Sequence, residues 1–264
     1  MALPVFIGYD DREHEAYEVC RYSIITRTMS NVDIVPIKHM AMRQSGMFNR
    51  PWRIDEQGRY WDERDGKPFS TQFSHARFAA PFLAKNAQHK GWLLFMDCAS
   101  LVLDDIDSLF RLADPHYAVM CVQHLHEPRD GVKMDGQLQQ RYRRKNWSSL
   151  FLWNLDHPAN DRLTLDHVNN KPGAWLHAFS WLANDEIGAL PEEWNYLVGH
   201  TVLGHNVLPK IVHYTTGGPW FPDMQDVPYG DLWIAEKRRM LHPPFTALNK
   251  LRERHETETA VYRA

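Results

Sequence analysis

The sequence predicts an α/β fold built on a central, mostly parallel sheet, and three observations carry that prediction. Short apolar runs that end in polar or acidic residues recur along the chain. Stretches with apolar residues at helical spacing lie between them. The length of 264 residues, 44% of them hydrophobic, suffices for a sizeable core, and no internal repeat divides it. Residues 4–10 form the first apolar run and read as a strand, followed by a helix over 13–25 with Ala16, Val19, Cys20 and Ser23 at helical spacing. Residues 33–38 read as a second strand; Pro36 lacks the N–H of a ladder and puts that strand at an edge or the Pro at a strand end. Together these make a βαβ unit.

Residues 46–73 change to Arg, Asp, Gly and aromatics, an excursion from the core in which Asp65-Gly66 suits a hairpin turn between 59–61 and 67–69. A helix is expected over 73–85. Residues 92–97 are a bounded apolar run, predicting a buried central strand that ends in the carboxylate of Asp97. Residues 105–112 read as a short helix with acidic residues where the helix dipole favours them. Two more strands are expected at 117–122 and 149–154, with a polar loop or exposed helix at 127–145 between them. Farther on, 173–183 has Trp175, Leu176, Phe179 and Leu182 at helical spacing, and 191–199 reads as a loop. Residues 210–214 read as the last strand and 229–241 as a terminal helix. One domain over 1–250 and a polar tail at 251–264 are expected.

Charge and cysteine usage narrow the function classes. Thirty Lys and Arg against 33 Asp and Glu give a net charge of −3, which argues against a nucleic-acid or membrane-surface binder that relies on bulk charge. Cys20, Cys98 and Cys121 are odd in number and far apart, indicating neither a disulfide framework nor a zinc ribbon. No apolar run approaches the length of about 20 residues that a membrane span needs, and the start lacks the pattern of a signal peptide. A soluble cytoplasmic protein is expected.

The most informative stretch is Phe95-Met-Asp97-Cys-Ala99. A strand ending in a carboxylate delivers that charge to the edge where open α/β sheets bind ligands. A second acid two residues on would aim both at one hard cation, and here that residue is Ala99. Alternatively Asp97 merely caps a strand end. In Val212-His213-Tyr-Thr-Thr-Gly217-Gly218-Pro-Trp220, a histidine at a strand end precedes a flexible turn, which could supply an imidazole ligand and backbone N–H groups for a phosphate, or be a structural tight turn.

With Tyr9-Asp10-Asp-Arg12 and Arg77-Phe-Ala-Ala-Pro81, these stretches resemble the GT-A glycosyltransferases related to family 8, the glycogenin and bacterial galactosyltransferase group. The resemblance runs in order from about residue 4 to residue 221. Trp147-Ser148-Ser149-Leu-Phe-Leu-Trp-Asn154 looks like that family's N-S-G strand, Leu190-Pro-Glu-Glu-Trp194-Asn195 matches its L-P-x-x-W-N loop, and 213–220 resembles its H-x-x-G-x-x-K-P-W ending with one residue fewer. The resemblance implies a GT-A, Rossmann-like nucleotide-sugar-binding fold. It implies transfer of a sugar, with retention, from a nucleotide-sugar donor, expected to be a UDP-sugar, to a glycan or other hydroxyl acceptor. Asp97 and His213 would hold Mn2+ or Mg2+. Tyr9, Asp10 and Arg12 would seat the base and ribose, Arg77 would contact the donor, and Ser148 and Ser149 the sugar. Gly217, Gly218 and Trp220 would lie by the diphosphate, and His177 would be the polar group on the catalytic side with Asp97.

Three departures from the pattern matter. Ala99 replaces the second metal-binding Asp of D-x-D, Gly218 replaces the Lys on the departing diphosphate, and the family's D-Q-D segment has no clear counterpart, Gly173-Ala-Trp-Leu-His177 occupying roughly that interval. Three readings follow from Ala99: an active enzyme with fewer metal ligands, a non-catalytic nucleotide- or glycan-binding module, or an engineered inactive variant. Elsewhere, His124 and His126 with His200 and His205 could form a zinc site. The basic cluster at 141–145 could be a solvated face or a grip on an anionic acceptor. Trp194 could stack on a sugar ring.

Overall fold

A computed structural model describes residues 2–125, 131–132, 138–139, 144–244 and 247. The tail at 251–264, His126 and residues 141–143 of the basic cluster lie outside the described residues. Strand β1 (Leu3–Gly8) is the first apolar run, buried from Val5 onward. It ends under Phe73, where a Cβ on Gly8 would lie 2.2 Å from the ring, so that only glycine fits. Asp10 caps a single 3₁₀ turn by accepting from the Arg12 N–H at 2.9 Å, and α1 (His14–Arg27) follows. β2 (Val32–Ile37) pairs in parallel with β1 at the edge of the sheet, the position that tolerates Pro36. α2 (His39–Gln44) leads into the excursion.

That excursion is a three-stranded antiparallel sheet, β3 (Trp52–Ile54), β4 (Tyr60–Asp62) and β5 (Pro68–Phe69). The expected hairpin is there, with Gly66 at φ +66° in its turn. The helix expected from 73 begins later: a 3₁₀ turn (Ala76–Ala79) precedes α3 (Ala80–Asn86), because Pro81, without an N–H, suits only a first helical turn.

β6 (Trp92–Met96) is the buried central strand the apolar run predicts. After it come β7 (Ser100–Val102), α4 (Asp107–Phe110), β8 (Val119–Cys121) and an antiparallel pair, β9 (Gly131–Val132) and β10 (Leu138–Gln139), within the segment expected to be loop or helix. β11 (Leu150–Asn154), α5 (Leu165–Asn170) and α6 (Gly173–His177) follow. α6 is shorter than its periodicity suggests because Phe179 takes a left-handed φ of +48°. β12 (Ile187–Ala189), β13 (Tyr196–Leu197), β14 (Ile211–His213) and α7 (Gly230–Leu241) complete the order.

The main sheet has the order β12-β8-β11-β6-β1-β2. Strand β11 runs antiparallel to both its neighbours, β6 and β8, while β1/β2, β1/β6 and β12/β8 are parallel, so all the other strands point one way. The strand at 210–214 does not join this sheet. β14 lies between β13 and β7 in a smaller sheet that begins just past the end of β6. Its register sets His213 opposite Ser100, three residues beyond Asp97, and the Tyr214 N–H bonds the Ala99 carbonyl at 2.9 Å. No helix among the described residues is long and apolar enough to cross a membrane.

Candidate active site

A cleft lies at the end of β6 between the hairpin wall at 65–71, the 3₁₀ turn bearing Arg77, the turn at 145–149, α6 and the end of β14. Asp97, Arg77, Ser148, Ser149, His177 and His213 all line it. The Asp97 carboxylate is held from one side: its Oδ1 accepts from Arg77 Nη1 at 2.7 Å. The same nitrogen reaches the Ser148 carbonyl at 2.8 Å, Nε reaches the Ser74 carbonyl at 3.1 Å, and the guanidinium rests over the rings of Phe73 and Phe95. Held so, Arg77 is rigid and leaves Asp97 Oδ2 turned toward His213, 3.9 Å from its Nε2.

The imidazole is oriented from behind. Asn195 Nδ2 donates to Ser149 Oγ (3.0 Å) and to His124 Nε2 (3.1 Å), so its Oδ1 faces His213 Nδ1 at 3.0 Å. An amide oxygen only accepts; Nδ1 therefore carries the hydrogen and Nε2 is the basic nitrogen directed at Asp97. Two ligands 3.9 Å apart are closer than twice the metal–oxygen or metal–nitrogen distance of about 2.0 to 2.2 Å, so one divalent ion can touch both. Among the described residues no group of three His, Cys, Asp or Glu side chains is placed to hold a metal. The residues fit an ion with two protein ligands and further oxygens from a bound anion. The imagined zinc site does not form there: His200 and His205 are exposed, and His124 serves the Asn195 network.

Also in the lining, Ser148 Oγ lies 2.8 Å from His177 Nδ1. Burial, reinforced by the Arg77 charge, pushes His177 well below the usual histidine range, and burial pushes the adjacent His75 down to about 3. Both imidazoles are neutral at physiological pH.

Other expected site residues sit elsewhere. Asp10 is fully buried, and its oxygens accept from Arg12 and from the Gln72 N–H at 2.9 Å. Arg12 reaches the Ser70 carbonyl and covers the Tyr60 ring, while Tyr9 packs on Tyr17 with its hydroxyl 3.1 Å from His14 Nδ1. These three are next to the cleft rather than in its lining, and their neighbour Glu13 lines it instead. Gly217 gives its N–H to the Tyr214 carbonyl, closing a turn. A Cβ on Gly218 would lie 2.3 Å from the Trp220 ring, so a lysine cannot be placed there without moving Trp220, which packs on Tyr214 and Trp233. Trp194 is 1% exposed and belongs to the core, which removes it as a sugar-stacking surface.

Three lining residues were not singled out in the sequence. Glu13 Oε2 accepts from the Cys98 thiol at 3.2 Å, its Oε1 is buried with no hydrogen-bond partner, and burial next to the Asp10 charge pushes the carboxyl up to about 8. Asp65, on the hairpin, accepts from the Gly173 N–H at 2.8 Å and ties that wall to α6. Lys145 belongs to the basic cluster read either as a solvated face or as a grip on an anionic acceptor, and it lines the cleft. For Asn195 the signal was present, since it ends the L-P-x-x-W-N match.

No family profile matches the sequence. The Arabidopsis thaliana protein called Protein CDI is 44% identical over 235 residues, which span 88% of this chain and 85% of that one. Among solved structures, the bifunctional glycosyltransferase WbbM superposes on 96% of this chain with a TM-score of 0.58 at 16% identity. The Streptococcus pneumoniae TIGR4 glycosyltransferase GlyE superposes on 93% with a TM-score of 0.59 at 15% identity. The chain spans 52% of the former and 64% of the latter. The galactosyltransferase LgtC, solved with donor and acceptor sugar analogs, is covered over its whole length, with 94% of this chain, a TM-score of 0.54 and 12% identity. At such identities the likeness establishes the fold, which is that of the GT-A glycosyltransferases.

Proposed function

The chain belongs to the family of the Arabidopsis thaliana Protein CDI, and we propose that it is a glycosyltransferase that moves a sugar from a UDP-sugar to the hydroxyl of a glycan or other acceptor. The observation that carries this is the convergence of Asp97 Oδ2 and His213 Nε2, 3.9 Å apart, at the end of the central strand of a GT-A fold. Asp97 and His213 would hold Mn2+ or Mg2+, which supplies positive charge to the diphosphate as it leaves. Arg77 fixes the Asp97 rotamer and offsets its charge, so Oδ2 is presented without reorganisation. Neutral His177 orients the Ser148 hydroxyl toward the sugar end, and Ser149 steadies Asn195. Tyr9 and the Asp10–Arg12 pair form the rim against which the base rests. Retention at the anomeric carbon belongs to the same reading. Buried, unpaired Cys20, Cys98 and Cys121 suit a reducing compartment, the cytoplasm.

A site with only two protein ligands also suits a nucleotide-binding module without turnover. Calorimetry with UDP and other nucleoside diphosphates in Mn2+, followed by assay of UDP release from UDP-sugars, tests both readings. Binding with release supports transfer, binding without release supports the module, and failure of every nucleoside diphosphate to bind overturns both.

A further inference from the structure

We propose that Glu13 hydrogen-bonds a ribose hydroxyl of the bound donor through Oε1, and so makes the site selective for a ribonucleotide. This rests on the nucleotide-sugar reading above. Glu13 lines the cleft and is 1% exposed, and its Oε1 is buried with no hydrogen-bond partner. Buried polar atoms are normally bonded, so an unanswered oxygen in a cleft wall marks a place for a ligand atom. Glu13 also forgoes the bond that its position offers. It is the N-cap of α1, where a side-chain oxygen can accept from the free N–H groups of the first turn, yet its carboxyl makes no capping bond. The side chain is drawn instead to the Cys98 thiol, which donates to Oε2 at 3.2 Å.

That contact fixes where the carboxyl sits. Cys98 follows Asp97, while the Glu13 N–H bonds the Asp10 carbonyl at 2.9 Å, so the residue bridges the ends of the neighbouring parallel strands β6 and β1. In the reading above the base rests on Tyr9 and the Asp10–Arg12 pair, just past β1, and the diphosphate lies at Asp97 and His213, beyond β6. The ribose is the covalent link between those two parts of the donor, and it therefore crosses the ground that Glu13 occupies. The chemistry agrees. Burial, and after it the Asp10 charge, push the Glu13 carboxyl up to about 8, so it is uncharged at neutral pH, and the Asp97 charge acts in the same sense. These two carboxylates disfavour a further anion beside Glu13. A hydroxyl carries no charge, and because it both donates and accepts it suits the carboxyl with or without its proton.

The experiment is calorimetry on the full chain in Mn2+, comparing UDP with its 2′-deoxy and 3′-deoxy analogues. On the unaltered chain at least one analogue should bind about tenfold more weakly than UDP, the scale of one buried hydrogen bond lost, and which one identifies the hydroxyl. This comparison needs no variant. Glu13→Leu should weaken UDP by a similar factor and leave that analogue unchanged, so that the two ligands converge. Glu13→Gln keeps an amide able to bond a hydroxyl and should keep most of the preference. A contact to the base, or a merely structural role, would weaken UDP and both analogues alike. Equal weakening of all three in Glu13→Leu, or a preference for UDP that this variant leaves intact, overturns this inference alone. So does an unaltered chain that binds UDP and both analogues equally. No UDP binding to the unaltered chain overturns the nucleotide-sugar reading and this inference with it.

Discussion

His213 Nδ1 lies 3.0 Å from Asn195 Oδ1, and this contact decides which nitrogen of the imidazole faces Asp97. With Nδ1 donating, Nε2 keeps its lone pair for an electrophile. Outer contacts of this kind usually set metal affinity by about tenfold to a hundredfold. Asn195→Ala is therefore expected to weaken Mn2+ in the UDP-bound protein by that factor, while UDP without metal binds much as before. Titration followed by electron paramagnetic resonance measures it, and unchanged Mn2+ affinity would remove Nε2 from the ligand set.

The hairpin wall depends on a buried ion pair. Arg50 is 1% exposed, bonds the Asp62 carboxylate through Nε and Nη2, and reaches the Lys171 carbonyl at 2.6 Å. Arg50→Met would leave the Asp62 charge buried and unanswered, a loss of about 3 to 5 kcal/mol. Adding Asp62→Leu should restore much of it, because an apolar pair has no charge to desolvate. Denaturant unfolding of both variants checks the order; a double variant less stable than the single one would mean that shape, not charge, matters here.

Stability should pass through a maximum with pH. His75 and His177 are held neutral in the fold by burial, so below their ordinary value of 6.5 the unfolded chain takes up protons first. Stability then falls with decreasing pH by up to about 1.4 kcal/mol per unit for each, continuing to about pH 3 for His75. Glu13 acts oppositely: raised from 4.5 to about 8, it keeps a proton in the fold that the unfolded chain loses, so stability falls as pH rises through that window. Between 4.5 and 6.5 the histidines, with His39 also shifted down by burial, oppose one carboxyl and prevail; from 6.5 to about 8 Glu13 dominates, and above that Lys145, whose amine burial lowers to about 8, loses its proton first in the fold and adds stability as pH rises. The melting temperature should peak near 6.5, the ordinary histidine value. Glu13→Gln should flatten the alkaline side and His75→Gln weaken the acidic slope; a profile that neither variant alters would place the titration elsewhere.

Apolar runs bounded by polar residues made β1 and β6 readable, since a strand buried on both faces needs little else in its sequence. Strand β7 was not readable. Ser100–Val102 continues past Asp97 without punctuation, and its pairing with β14 spans more than a hundred residues of chain. That pairing is what brings His213 to Asp97. That Asp97, Arg77, Ser148 and His213 would line one cleft was legible because their order along the chain matched a known pattern. Lys145 stayed open between two readings, because a lysine in a basic run has the same composition whether it faces water or a cleft; only the fold puts it in the cleft lining. Trp194 failed in the opposite sense. A tryptophan in a loop motif looks available, and only tertiary packing shows it sealed into the core.

Ala99 offers the sharpest test of the site. Asp97 and Ala99 both line the cleft while Cys98 between them turns to Glu13 and the core, so alternation persists past the end of β6. A carboxylate at 99 would join Asp97 and His213 as a third protein ligand for a hard cation. With alanine, the ion must take its remaining oxygens from the diphosphate and water, so metal binding should depend strongly on the nucleotide. In Ala99→Asp that dependence should weaken, and transfer should speed up by about a hundredfold, the scale of a preorganised contact of about 3 kcal/mol regained in the transition state. Mn2+ titrations with and without UDP on both proteins decide it. Weak binding only to the unaltered chain without UDP is the expected pattern; equal affinity in all four titrations would show that position 99 does not face the metal.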